Sequence, residues 1–336
     1  MRLLVLGGTI FLGRHVVEAA LERGHEVTTF TRGTTPGLFP QVEELHGDRD
    51  GRLDALRGRS WDAVIDTSGY VPRVVRQSAA LLAGSVGHYV FVSSLSVYPD
   101  LVTPDLAEDA PLAVLEDPAS EDVPRDYGAL KAACEQVVEE HFPGRALQAR
   151  AGLIVGPWDQ VDRFNHWVRR VAAGDAFLAP GMPRDPLQLI DVRDLAAWLV
   201  EAAARGTAGA FNATGPVRPH RFGEFLGTLG TALGSDAQPV WVSHEFLAAE
   251  GTRPMDGVPF WIPPEAQGFM RRDVRKAIAH GLRFRPLAET ARDTWAWLQQ
   301  VPQPQGRKVG VPIVNDLTSG RERELLERWA ERHRAG

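Results

Sequence analysis

Residues 7–13 read "GGTIFLG", directly after the apolar run "RLLVL" (2–6) and directly before "RHVVEAALERG" (14–24). A strand, a glycine-rich turn and an amphipathic helix in that order predict the first βα unit of a dinucleotide-binding sheet. Its middle glycine is missing. Aligned as G-x-G-x-x-G the three positions are 8, 10 and 13, and aligned as G-x-x-G-x-x-G they are 7, 10 and 13; Ile10 stands in the middle of both. A β-branched residue resists positive φ and sets a side chain where bare backbone would approach a pyrophosphate. The turn stays functional if Ile10 keeps an ordinary negative φ and turns inward, while Gly7, Gly8 and the helix N-terminus offer N–H groups to phosphate. The candidate cofactor loop is therefore Gly7, Gly8, Thr9, Ile10, Phe11, Leu12 and Gly13. A tight strand–helix turn with no ligand is the competing reading.

Outward from this turn the first half of the chain alternates strands and helices. After the helix at 12–23 come "EVTTFTR" (26–32), "VEELHGD" (42–48), a short helix at 52–57, "DAVIDTS" (62–68), a helix at 71–83 and "HYVFVSS" (88–94). A helix at 127–141 and a strand at 146–156 follow. Near-continuously apolar strands separated by helices predict a doubly wound α/β fold with a parallel sheet covered on both faces. Right-handed crossovers then bring Gly7–Gly13, Thr31–Arg32, Asp66–Gly69 and Ser93–Ser94 to one sheet edge. Beyond residue 157, Gly- and Pro-rich loops such as "APGMPRDP" (179–186) suit a smaller interleaved α/β lobe. The expected units are 1–157 plus 186–215, 158–185 plus 216–300, and a tail, 301–336, whose charged end reads as a solvated helix.

The chain has 336 residues, 44% of them hydrophobic, and a formal charge of −6 from 37 Lys and Arg against 43 Asp and Glu. That balance gives no overall attraction to nucleic acid or to an anionic membrane. No membrane-length apolar stretch and no secretory leader stand out, which predicts a cytoplasmic chain. Cys134 is the single cysteine, and no spacing matches a metal site.

At the end of the second strand, where an acid would bind a free ribose diol, stand Thr31 and Arg32. A guanidinium suits a 2′-phosphate, so NADP(H) is favoured over NAD(H). Asp48 either accepts the adenine amino group or caps a turn. In "DYGALK", Tyr127 and Lys131 are four apart and share a helix face, and "VFVSSLSVY" ends a buried strand in hydroxyls. A carbonyl or alcohol between Ser94 and Tyr127 would exchange a proton with the phenol. Lys131 would lower the phenol's pKa and bond the cofactor ribose.

With "GGTIFLG", "GD" (47–48), "VSSLSVY", "YGALK", "GLIVGPWD" (152–159), "LIDVRDLA" (189–196) and "FNATG" (211–215), the chain resembles the extended short-chain dehydrogenase/reductase superfamily, the NAD(P)-dependent epimerase/dehydratase family. Two glycines, four residues and a closing glycine resemble an atypical subgroup described variously as sugar epimerases or dehydratases, isoflavone-reductase-like proteins and messenger-RNA-binding proteins. The resemblance implies a Rossmann fold, a catalytic Ser94, Tyr127 and Lys131, and pairing into a homodimer. It also implies cofactor contacts from Ser68, Gly69 and Ser93. Sugar dehydratases of this superfamily follow the catalytic hydroxyl with Asp-Glu; Leu95 and Ser96 stand there, which disfavours dehydration.

Ser96, Trp158, Arg163 and Trp167 are the candidate substrate contacts, with a sugar-like, nucleotide-sugar substrate in view. The leading expectation is an NAD(P)-dependent epimerase or reductase acting on a small molecule. The alternatives are an RNA-binding protein on the same fold, against which the acidic balance weighs, and a non-catalytic NADP(H)-sensing regulator.

Overall fold

The computed structural model describes residues 1–35, 37–300 and 317–334. β1 (Arg2–Leu6) runs through the glycine turn into α1 (Phe11–Glu22). There follow β2 (Glu26–Thr31), β3 (Glu43–His46), β4 (Trp61–Asp66), α2 (Pro72–Leu82), β5 (Val86–Ser94), α3 (Val123–His141) and β6 (Ala146–Ala151). The chain crosses to a second lobe through β7 (Leu153–Val155), α4 (Arg163–Ala172), β8 (Phe177–Pro180), β9 (Pro186–Leu187) and β10 (Leu189–Asp191). It returns with α5 (Val192–Arg205) and β11 (Gly209–Ala213). It leaves again with β12 (His220–Arg221), α6 (Phe222–Leu233), β13 (Pro239–Val242) and α7 (His244–Ala249). α8 (Arg275–Ala279), α9 (Leu287–Leu298) and α10 (Ser319–Arg334) complete the described chain.

Seven strands form one sheet in the order β11-β6-β5-β4-β1-β2-β3, and every pairing is parallel. The apolar runs are continuous because both faces are covered. Leu3 and Val5 point into the layer of α1 and α5, whereas Leu4 and Leu6 point into the layer of α2 and α3. Each such fully buried side chain contributes roughly 1.5–3 kcal/mol through the surface it removes from water. All parallel strands end on the same edge, so Leu6, Thr31, Asp66 and Ser94 bring their following loops together as expected.

Three expectations are corrected. The single strand foreseen at 146–156 is two, broken at Gly152, where a side chain would run into Thr214. Its second half, β7, pairs with β10 and not with the large sheet. Residues 186–191 therefore do not rejoin the first sheet: β9 pairs antiparallel with β12, and Leu187 and Leu189 pack in the second lobe's core with Phe164, Phe177 and Phe225. Conversely Ala277 and Leu282 belong to the first core.

The tail helix does not stand free. Leu325 of α10 is fully buried in the second core, and Glu322 accepts two bonds from Arg170, at 2.8 and 3.1 Å, and one from the Leu178 amide. Its charges concealed an apolar stripe. The rest of the expected tail, 301–316, lies outside the described residues. No helix among the described residues is long and apolar enough to cross a membrane.

Candidate active site

The glycine turn resolves the question raised by Ile10. Ile10 sits at φ −127° and ψ 139°, ordinary extended backbone, and precedes α1 without a capping side chain. Gly7 and Gly8 carry the positive φ, 109° each. The strain that a central glycine would absorb moves to Phe11, at φ 30°, whose ring is held against the first core and edge-on to His15. A Cβ at Gly7 would lie 2.5 Å from Thr67 Oγ1, and one at Gly13 would lie 2.6 Å from the Gly8 nitrogen. Gly7, Gly8 and Gly13 thus leave a bare-backbone cradle at a helix N-terminus that no side chain caps, beside Thr9, while Leu12 is buried in the first core. Such a cradle fits a pyrophosphate, because the first-turn N–H groups have no partner inside the helix.

At the end of β2, Thr31 Oγ1 accepts the Gly33 amide at 3.2 Å, and Arg32 is exposed with no ion pair among the described residues. Asp48 resolves toward a turn cap: its carboxylate accepts the Asp50 amide at 3.0 Å and lies 3.5 Å from Arg52. Its neighbour, overlooked in the sequence, does more. Arg49 forms a forked pair with the fully buried Asp66, at 2.7 and 2.8 Å, and Tyr89 donates to the same carboxylate at 2.8 Å. Ser68 is tied into this network through its amide and hydroxyl, and Gly69 packs too closely on Phe91 and Val75 to bear a side chain.

Ser94 ends β5, and α3 lies across it. Asp122 caps α3 through the Arg125 amide, and Gly128 lets the helix rest on the Ser96 carbonyl, where any side chain would collide. This close approach brings the Tyr127 phenol beside Ser94. The Ser94 oxygen already accepts the Ser96 amide at 3.1 Å, which leaves its O–H to donate to the phenol. Lys131, one turn on and 3% exposed, donates to the carbonyls of Gly69 at 2.6 Å and Val92 at 2.7 Å. Two of its three protons are engaged, and one remains for a ligand. Ser93 is buried beside it, with an unpartnered hydroxyl.

The electrostatics differ from expectation. Burial holds the Tyr127 phenol above its usual value, opposed by the Ser94 bond and by the charge of Arg163. Arg163 is the cation that lowers it, and burial brings the Lys131 ammonium itself down to about 8. The phenol therefore stays protonated at neutral pH, the form that donates to a developing alkoxide.

Residues 3–83 match the model of the NAD dependent epimerase/dehydratase family. The match runs from β1 through α2. Over 268 residues, 74% of the chain and 72% of the relative, it is 28% identical to a 2'-dehydrokanamycin reductase of Streptomyces kanamyceticus. Over 127 residues it is also 28% identical to the chloroplast stem-loop binding protein of 41 kDa b of Arabidopsis thaliana, spanning a third (33%) of that protein. The fold is that of a UDP-glucuronic acid 4-epimerase from Bacillus cereus solved with NAD (TM-score 0.65, 15% identity, 89% of this chain and 99% of that one). It is equally that of a human epimerase family protein solved with NADPH (TM-score 0.61, 22% identity, 88% and 99%).

The residues expected to contact a substrate divide. Trp167 is corrected: it is fully buried, its indole N–H donates to the Pro259 carbonyl at 3.1 Å, and it packs on Phe177 and Phe222. The α4 pattern that suggested a wall residue is the apolar face of that helix. Trp158, at φ 69°, is sandwiched between the Arg14 guanidinium, 3.8 Å from its ring centre, and Trp297. Arg163 opens α4 with a long 3.5 Å contact to Asp256 and a buried, unpartnered Nε, and it acts on Tyr127 through space. Ser96 is half-buried under α3. Arg14, Arg49, Tyr70 and Asp159 are the site neighbours that the sequence did not single out. Arg14 and Arg49 directly follow the quoted "GGTIFLG" and "GD", Asp159 ends the quoted "GLIVGPWD", and Tyr70 follows Gly69.

Proposed function

We propose that the chain is a nicotinamide-dependent oxidoreductase or epimerase acting on a carbonyl or secondary alcohol of a sugar-like small molecule of the nucleotide-sugar class. The single observation that carries this reading is the placement of the Tyr127 phenol beside Ser94 at the end of β5, one helical turn from Lys131. Gly7, Gly8, Gly13 and the start of α1 would hold the pyrophosphate, Arg32 a 2′-phosphate, and the free Lys131 proton the ribose. When bound, the cofactor supplies hydride transfer. Tyr127 gives its proton to the substrate oxygen or takes it back, and Ser94 orients that oxygen by hydrogen bonding. Lys131 orders the floor of the site by fixing the Gly69 and Val92 carbonyls. Arg163, whose Nε is unpartnered among the described residues, suits an anionic group of the substrate.

Arg32, exposed and unpaired, favours NADP(H), and the Leu95–Ser96 pair supports epimerisation or reduction over dehydration. Tyr127→Phe is expected to lower turnover at least about a hundredfold, the usual contribution of a positioned acid or base, while cofactor affinity stays the same. Retained turnover in that variant would remove the proposed proton donor.

A further inference from the structure

The connection from β4 to α2 is held more firmly than a linking loop requires. Asp66 accepts the Ser68 amide at 3.0 Å and is itself gripped by Arg49; Ser68 donates to the Leu6 carbonyl at 3.2 Å; Lys131 fixes the Gly69 carbonyl at 2.6 Å. The side chain that this rigid turn presents is Tyr70. Its ring centre lies 5.5 Å from Lys131 Nζ, on the same ammonium that stands one turn from Tyr127.

The chain has four tyrosines, and their hydroxyls separate them. Tyr89 donates to Asp66 at 2.8 Å and Tyr98 to Asn212 at 2.7 Å, each satisfied within the fold. Tyr127 lies beside Ser94 at the site, and the Tyr70 hydroxyl, which acts on Tyr127 through space, has no hydrogen-bond partner among the described residues. Tyr70 is half-buried, and its hydroxyl is open to a ligand oxygen.

We propose that Tyr70 is a specificity-determining residue whose hydroxyl donates to a second substrate oxygen, on the carbon next to the one that reacts at Tyr127. The site then prefers a hydroxy-ketone or vicinal diol over a bare ketone or alcohol. This deepens the reading of Tyr127 as proton donor and rests on it. The two phenols have unlike electrostatics. Burial, Tyr127 and Asp66 push the Tyr70 phenol up against the charge of Arg49, whereas Ser94 and Arg163 pull the Tyr127 phenol down against its burial. Burial holds both phenols protonated at neutral pH, so each can donate.

Tyr70→Phe keeps the ring and removes only the hydroxyl. The full chain saturated with oxidised cofactor is titrated with dihydroxyacetone and with acetone, following tryptophan fluorescence. The wild type is expected to bind dihydroxyacetone the more tightly, and Tyr70→Phe to shrink that preference roughly threefold to tenfold, the worth of one neutral hydrogen bond. No preference in the wild type, including no measurable binding of either probe, overturns the proposal, as does an unchanged preference in the variant. Turnover surviving Tyr127→Phe sinks the parent reading instead, so the two failures are told apart.

Discussion

Replacing Asp159 by Asn is expected to stabilise the protein, and more so at higher pH. Asp159 lies in the loop between β7 and α4, 1% exposed, and no cation pairs with it among the described residues. Its carboxylate accepts the Val161 amide at 2.7 Å, a turn-closing bond that an Asn carbonyl makes equally well. Burial pushes its pKa from the ordinary 3.8 to about 7. The unfolded chain ionises first as pH rises, so folding stability falls between the two values and levels off above the upper one. Three pKa units correspond to about 4 kcal/mol at pH 8, and roughly half of that has accrued at pH 5.5. Asp159→Asn removes the ionisation, so the variant's advantage over wild type grows by about 2 kcal/mol between these two pH values. For a chain of this length that is a difference of roughly 3 °C in melting temperature. Thermal melts of both proteins at pH 5.5 and 8 measure it. An offset that is the same at both, or that shrinks toward pH 8, would refute the claim that a carboxylate is buried there unpaired.

Two other substitutions probe the site from opposite ends. Arg32→Ala is expected to weaken NADPH binding about tenfold or more, the worth of a charge-assisted bond, and to leave NADH unchanged; equal losses for both in a fluorescence titration would end the 2′-phosphate assignment. Gly128→Ala places a methyl group against the Ser96 carbonyl, so α3 must lift. Turnover should fall with a stability loss of about 1–3 kcal/mol while cofactor affinity holds, and wild-type turnover would show that the Tyr127–Ser94 contact does not depend on that close approach.

Much of the site was legible because its signals are local. Tyr127 and Lys131 share a helix face by their spacing alone, and the hydroxyl run at 93–96 follows a strand that its apolar residues announce. Ile10 was legible in the same way, since an extended residue before a helix needs no glycine if its neighbours supply one. The Phe11 conformation was not, because the displaced strain is stabilised by packing against distant residues. Tyr70 escaped notice for a related reason: nothing in "TSGY" reveals that Lys131, 61 positions later, reaches back to fix the loop.

The amino-acid order by itself determined the βα rhythm, the parallel sheet and the edge on which its loops gather, since strand and helix periods and strand handedness are properties of short segments. Only the tertiary structure decided which residues of that edge face one another. It buried Trp167, tied Lys131 to two carbonyls, and set Arg163 to act on Tyr127. Burial and charge act through space between segments far apart in the chain, and no local pattern encodes their distances.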